Sequence, residues 1–211
     1  MAPGTRLDGP AHLGVFGGSF NPPHVAHLAV AEAAADQFAL ERVLWIPAAT
    51  APHKQGRPDL ASAADRLLLT RLATAGNDRF AVSDVEIARG GVSYTADTLR
   101  TLSAEHPDIR LVLLMGGDSL AYFPKWREPE AIIALADLAV YARPGTDLAP
   151  AMEAAQALGA RVHVLDAPRL DLSSTELRRR LAAGRSARYL VPDAVRAAID
   201  ARGLYRGDGP E

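Results

Sequence analysis

Two histidines three residues apart, His24 and His27, close the stretch 17–27, GGSFNPPHVAH. Glycines such as Gly17 and Gly18, set between a strand and a helix, let a ligand come close to the backbone, and the free N–H groups of a helix start attract anions. Ser19, Phe20 and Asn21 form the turn between the glycines and the helix. If that helix has begun by the first histidine, both imidazoles lie on one face. The stretch has neither the lysine of a Walker loop nor the glycine spacing of a dinucleotide fingerprint. Two plainer readings stay open on these residues alone. One is a glycine-rich turn followed by two histidines satisfied within the fold. The other is a zinc site, although no carboxylate stands nearby in sequence. A second stretch, 172–178 or LSSTELR, has Ser173 and Glu176 at the spacing of a capping box. A helix therefore starts beside the hydroxyls of Ser173 and Ser174, with Arg178 in its first turns. Free N–H groups, hydroxyls and a guanidinium make a cradle for polyphosphate. A well-capped surface helix is the alternative.

Both stretches need elements to position them. Short β-prone runs alternate with longer helical ones along the chain. The runs at 12–16, 42–46, 80–82, 85–87, 110–115, 138–141 and 162–165 predict strands. Helices are predicted at 25–38, 61–75, 93–104, 119–123, 129–134, 149–158, 175–183 and 193–202. In the helix 61–75, Leu67, Leu68, Leu72 and Ala75 have the spacing of core positions. Strands separated by helices imply a parallel sheet covered on both faces, an α/β fold. Ligands on such sheets sit beyond the carboxyl ends of the strands, here just after Phe16, Ile46, Met115 and Leu165. Residues 1–10 and 206–211 read as tails. Residues 11–205 read as one domain, with about 170–205 forming a small helical C-terminal subdomain.

Composition narrows the classes of function. The 211 residues carry 23 Lys and Arg against 25 Asp and Glu, a formal net charge of −2. That balance argues against a general nucleic-acid binder, while a local pocket can still attract small anions. With no cysteine, neither a disulfide nor a thiolate metal site can form. No apolar run is long enough to span a membrane, and the first ten residues do not read as a signal peptide. A cytoplasmic location is expected.

The stretch 17–27 resembles the GGxFDPxHxGH signature of the HxGH nucleotidyltransferases, with Asn21 where the family usually has Asp and Ala26 where it usually has Gly. The stretch 172–178 resembles the ISSTxIR signature of the same superfamily. Four further stretches narrow the resemblance to the bacterial nicotinate-nucleotide adenylyltransferases: 47–54 (PAATAPHK), 93–99 (SYTADTL), 116–126 (GGDSLAYFPKW) and 141–145 (YARPG). The resemblance covers roughly residues 12–200, with every motif in order. It implies a Rossmann-like parallel sheet with helices on both faces and a small helical C-terminal subdomain. It also implies transfer of the adenylyl group of ATP to nicotinate mononucleotide, with magnesium accompanying ATP and no named protein ligand to the metal.

By that resemblance His24, His27, Lys54 and Arg178 do the catalytic work. Gly17, Gly18, Ser19, Phe20, His24, His27, Asp118, Ser173, Ser174 and Arg178 hold ATP. Asn21, Lys54, Tyr94, Thr95, Trp126 and Arg127 hold the mononucleotide. Each has a plainer reading too: Asp118 as a helix cap, Lys54 as a solvated charge, Trp126 as core, Arg127 as a surface charge, Tyr94 as packing at a helix start. The acceptor could instead be nicotinamide mononucleotide, phosphopantetheine or a cytidylyl acceptor, or the protein could bind nucleotides without catalysis. ATP and the mononucleotide are the expected partners, nucleic acid and membrane are not, and a homo-oligomer is left open.

Overall fold

The computed structural model describes residues 7, 11–52, 56, 59–142 and 145–206. Six strands form one parallel sheet: β1 (His12–Gly18), β2 (Arg42–Pro47), β3 (Phe80–Val82), β4 (Arg110–Gly116), β5 (Ala136–Tyr141) and β6 (Val162–Val164). Their order is β3-β2-β1-β4-β5-β6. The chain winds outward from β1 in one direction and then restarts at β4 in the other, so the crevice between β1 and β4 is the point where such sheets take ligands.

Alternation along the central strands explains why both faces must be covered. Leu111, Leu113 and Met115 of β4 belong to one buried cluster, with Leu13, Val15, Leu138 and Val140. Val112 and Leu114 point the other way, into a cluster with Val30, Ala34, Phe38, Trp45 and Leu165. Successive side chains of a strand take opposite faces, so an unbroken apolar run is what a doubly covered strand requires. Helices α4 (Thr95–Glu105), α5 (Gly117–Tyr122), α6 (Pro129–Leu135) and α7 (Ala149–Ala157) contribute to the first cluster. Helix α1 (Val25–Gln37), alanine-rich and able to lie close to the strands, supplies the second.

A third cluster joins Leu69 and Ala73 of α2 (Ala63–Thr74) to Leu177 of α8 (Ser174–Ala182) and to Val195 and Ile199 of α9 (Asp193–Arg202). The C-terminal helices thus share their core with α2.

Three local expectations change. Residues 85–89 form a short helix, α3 (Val85–Arg89), where 85–87 reads as a strand. The Val85 N–H donates to the Ser83 hydroxyl, the Ala88 N–H donates to the Asp84 carbonyl, and Gly90 closes the turn at φ 72°. These local bonds outweigh the β propensity of three residues. Gly17 and Gly18 continue β1, paired with Ile46 and Pro47, rather than ending it. Helix α2 buries Arg66, Leu69, Thr70, Ala73 and Thr74, while Leu67, Leu68 and Leu72 are half-buried and Ala75 is exposed. The polar face turns inward because each member finds a partner. Thr70 Oγ1 donates to the Arg66 carbonyl at 2.7 Å and Thr74 Oγ1 donates to the Thr70 carbonyl at 3.0 Å.

Candidate active site

A cavity of about 670 Å³ opens beyond the carboxyl ends of β1, β5 and β6. One wall is Gly17 to Asn21 with His24 and His27. Ser173, Ser174 and Arg178 line it too, as do residues 164–170 and Tyr141. The fold has brought together two segments far apart in sequence. Ser174 Oγ donates to the Pro22 carbonyl at 2.9 Å across 152 positions. Arg178 Nη1 donates to the Asn21 carbonyl at 2.9 Å across 157 positions.

The histidines sit at the start of α1. His24 is the N-cap and His27 is the third helical residue. Their rings stack with centroids 3.6 Å apart, which confirms the shared face expected from the spacing. The His24 N–H donates to His27 Nδ1 at 3.2 Å. An accepting Nδ1 leaves the proton of a neutral imidazole on Nε2, at the far end of the ring. His27 therefore offers a donor, and its ring lines the cavity.

The loop before them is held from beneath. Phe20 adopts φ 45°, a left-handed conformation unusual for a bulky side chain. Its ring is buried and meets Phe16 and His27 edge-on, at 5.5 and 5.3 Å between centroids. Packing against Phe16, His27 and Trp45 offsets a backbone cost of about 1–3 kcal/mol. Gly17 has open space where a Cβ would stand, whereas a Cβ on Gly18 would meet the Phe20 ring at 3.1 Å. A side chain at 18 would push on the residue that supports His27.

Asn21 turns inward, only 1% exposed. Its Nδ2 donates to the Asp59 carbonyl at 3.0 Å, and its Oδ1 accepts from the Ala61 N–H at 3.0 Å and from the Tyr205 hydroxyl at 2.8 Å. Burial raises the Tyr205 phenol well above its ordinary value, so it remains a proton donor at any physiological pH. A carboxylate at position 21 could accept two of these bonds but could not donate to the Asp59 carbonyl. Asn21 thus shapes the loop and spends its amide inside the protein.

Ser173 caps α8, its Oγ accepting the Glu176 N–H at 3.2 Å, as the capping-box spacing predicts. Arg178 donates through Nη1 to Asn21 and through Nη2 to Asp59 Oδ2 at 2.6 Å. Two of its donors therefore hold the site together, and it still lines the cavity.

The other expected residues lie elsewhere. Asp118 is exposed near the start of α5, in a side recess of about 70 Å³ that shares Tyr141 with the main cavity. Tyr94, Thr95, Trp126 and Arg127 do not line the main cavity. Tyr94 caps α4 and Thr95 is its first residue. The Arg127 guanidinium lies 4.5 Å from the centroid of the Tyr94 ring, 3.9 Å from Asp97 and 3.2 Å from Glu128. Glu128, at φ 56°, also pairs with Arg100. Trp126 is half-buried against Phe123, with ring centroids 5.7 Å apart. Lys54, and Arg143 and Pro144 of the YARPG stretch, lie outside the described residues. Among the described residues no group of three or more His, Asp or Glu side chains is placed to hold a metal ion. No helix among them is long and apolar enough to cross a membrane.

Sequence reasoning missed Arg66, Asp59, Tyr141 and Tyr205. Arg66 and Tyr205 act through main-chain or amide groups distant in sequence, which periodicity does not reveal.

Residues 15–180 match the Cytidylyltransferase-like family model. The chain is 50% identical over 194 residues to a Salinibacter ruber protein described as "Probable nicotinate-nucleotide adenylyltransferase", covering 92% of this chain and 97% of that one. A Geobacter protein of the same description is 45% identical over 211 residues, with the same coverage of each chain. Among solved structures, Plasmodium falciparum nicotinic acid mononucleotide adenylyltransferase, complexed with NaAD, superposes with a TM-score of 0.75 at 17% identity, over 92% of this chain and 97% of that chain. That likeness concerns the fold.

Proposed function

The chain belongs to the nicotinate-nucleotide adenylyltransferase family, and from that premise we propose that it transfers the adenylyl group of ATP to nicotinate mononucleotide, giving deamido-NAD and pyrophosphate. One observation carries the reading to this chain's own residues: both superfamily signatures meet across a single cavity at the carboxyl end of the sheet.

The nucleophile is a phosphate oxygen of the mononucleotide, already anionic at neutral pH. It forms a bond to the α-phosphorus of ATP as the bond to the β-phosphate oxygen breaks and pyrophosphate leaves. No protein hydroxyl or thiol has to act as a nucleophile. Its work is to align the attacking and leaving oxygens and to stabilise charge that grows in the transition state. The stacked imidazoles of His24 and His27 and the remaining donors of Arg178 are assigned to the phosphates. Main-chain groups from Gly17 to Phe20 and the hydroxyls of Ser173 and Ser174 line their path. Lys54 is assigned to phosphate from the loop side and Asp118 to ribose hydroxyls. Asn21 acts through the shape of the loop. Magnesium would accompany the ATP phosphates and offset their charge there, and no protein ligand to it is assigned.

The acceptor ring is assigned to the start of α4 and the segment after α5, with Trp126 as its aromatic wall. The first N–H groups of α4 and the Thr95 hydroxyl suit a carboxylate. An amide sets its own N–H against one of those donors. Such a mismatch costs about 1–3 kcal/mol, so nicotinate mononucleotide should be preferred over nicotinamide mononucleotide at least tenfold in kcat/KM, about 1.4 kcal/mol. The test is pyrophosphate release from ATP and magnesium with nicotinate mononucleotide, nicotinamide mononucleotide and phosphopantetheine as acceptors. Equal values for the first two would remove the carboxylate from the recognition. Turnover with none of the three would remove the reaction.

A further inference from the structure

Arg66 is 3% exposed, and its three described hydrogen bonds all end on main-chain carbonyls. Nε donates to Ala61 at 3.1 Å, Nη1 to Ser19 at 2.9 Å and Nη2 to Ala49 at 2.9 Å. A buried cation normally rests on a carboxylate, because desolvating the charge is costly. Here it rests on three peptide dipoles from three segments: the loop after β1, the loop after β2 and the approach to α2.

Each bond sets something beyond itself. A peptide is planar and trans, so the Ser19 carbonyl turned toward Arg66 sends the Phe20 N–H away from it. Ser19 and Phe20 both line the cavity, and this peptide precedes the left-handed residue that supports His27. Ala49 is gripped on its other side as well, its N–H donating to Ser93 Oγ at 3.0 Å. The Ser93 N–H in turn donates to the Thr50 carbonyl at 2.9 Å. Ser93 stands two residues before α4. One guanidinium thus connects the wall assigned to ATP with the helix start assigned to the acceptor. It also leaves a positive charge behind a loop that faces anions.

We propose that Arg66 is a positioning residue for adenylyl transfer, fixing the phosphate loop relative to the acceptor side through the carbonyls of Ser19 and Ala49. This rests on the adenylyltransferase reading above. Lysine cannot replace it, since an ammonium lacks the planar fork that reaches three carbonyls in three directions.

The test compares the parent enzyme with Arg66→Lys and Arg66→Ala, each checked for folding by circular dichroism and thermal melting. In folded Arg66→Lys, kcat should fall about a hundredfold while KM for ATP changes less, because misalignment of bound reactants acts on the chemical step. Methylguanidinium should restore part of kcat to Arg66→Ala, and methylammonium should not. A residue that merely stabilises the fold would lower the melting temperature and leave kcat of the folded protein near the parental value, and that result would overturn the proposal. Variants that fail to fold at room temperature would assign Arg66 to the fold alone and overturn it too. An inactive parent would instead sink the underlying reading, so the two failures are distinguishable.

Discussion

The two edges of the sheet treat their charges differently. At the amino edge, beneath the first residues of β1, β4, β5 and β6, a set of charged and titratable side chains closes on Asp137. Arg110 donates to it at 2.6 Å, Arg161 at 2.7 Å, and His163 Nε2 lies 3.2 Å away. His12, buried, stands on the neighbouring end of β1. Burial pushes the Asp137 carboxyl up, but the hydrogen bond to His163 and the Arg110 guanidinium outweigh it and hold the carboxyl below its usual value. At the carboxyl edge, Arg66 ends on three carbonyls, and Arg178 on one carbonyl and one carboxylate. One edge gathers its cations on a shared carboxylate. The other holds them mainly with backbone dipoles, with Asp59 as the carboxylate partner of Arg178; the dipoles orient loops and leave more of the positive potential for a ligand. A sheet can thus be pinned at one end by a shared counter-charge and kept receptive at the other.

The sharpest way to break this comparison is His24→Ala. If the carboxyl edge does the chemistry, kcat should fall about 10²–10³-fold, as on loss of one preorganised donor. KM should change less, and the circular dichroism spectrum should match the parent. A kcat near the parental value would remove His24 from the reaction. The counterpart at the other edge is Asp137→Asn. It leaves Arg110 and Arg161 without their shared carboxylate, a loss of about 1–3 kcal/mol for hydrogen bonds to a charged group. Both arginines are partly exposed, and solvent screening trims the effect. Chemical denaturation should show the loss, and kcat of the folded enzyme should stay unchanged. A drop in kcat would show that the two edges are coupled.

Arg178→Lys sharpens the boundary between holding and reacting. A lysine can keep one of the two contacts to Asn21 and Asp59 but not both in a fixed fork. The expected loss is roughly tenfold in kcat/KM for ATP, about 1.4 kcal/mol. Steady-state constants equal to the parent's would reduce Arg178 to a structural tie.

Much of this contrast was legible in sequence, and for identifiable reasons. The apolar run 110–115 had to be a doubly covered strand. The capping spacing of Ser173 and Glu176 placed the start of α8 correctly, because a cap is local. The spacing of His24 and His27 gave their shared face for the same reason. What failed was non-local. Leu67, Leu68 and Leu72 have the spacing of a core face in α2, yet Arg66 turns inward because its partners include loop carbonyls 17 and 47 positions away, and Thr70 and Thr74 share that face by bonding to carbonyls of their own helix. Asn21 lines the cavity, but the partners of its amide are out of sight in the sequence. Its hydroxyl partner, Tyr205, is 184 positions distant, and no window of sequence shows that the amide is already spent. The surroundings of the Arg127 guanidinium, the Tyr94 ring with Asp97 and Glu128, are likewise set by the fold.

The smallest expected effect tests whether the amino edge is a neutral lock or a titratable one. Burial lowers the pKa of His12 below its ordinary value of 6.5. Asp137 works against that shift, and Arg110 adds to it. The folded state therefore binds the His12 proton less readily than the unfolded chain does. Stability rises with pH wherever the unfolded state holds more protons. The contribution of His12 is thus fully present above pH 6.5 and is lost as pH falls from there through the folded-state pKa. Asp137 behaves in the same direction at lower pH. Its folded pKa is depressed, so its contribution is present above the ordinary carboxyl value of 3.8 and is lost as pH falls below it. The His12 loss begins at the higher pH, and His12→Asn isolates it. Unfolding free energy measured by urea titration should be lower in the parent just below pH 6.5 than just above it. His12→Asn should flatten that slope without altering the acid transition at lower pH. An unchanged slope in His12→Asn would move the titration to another group.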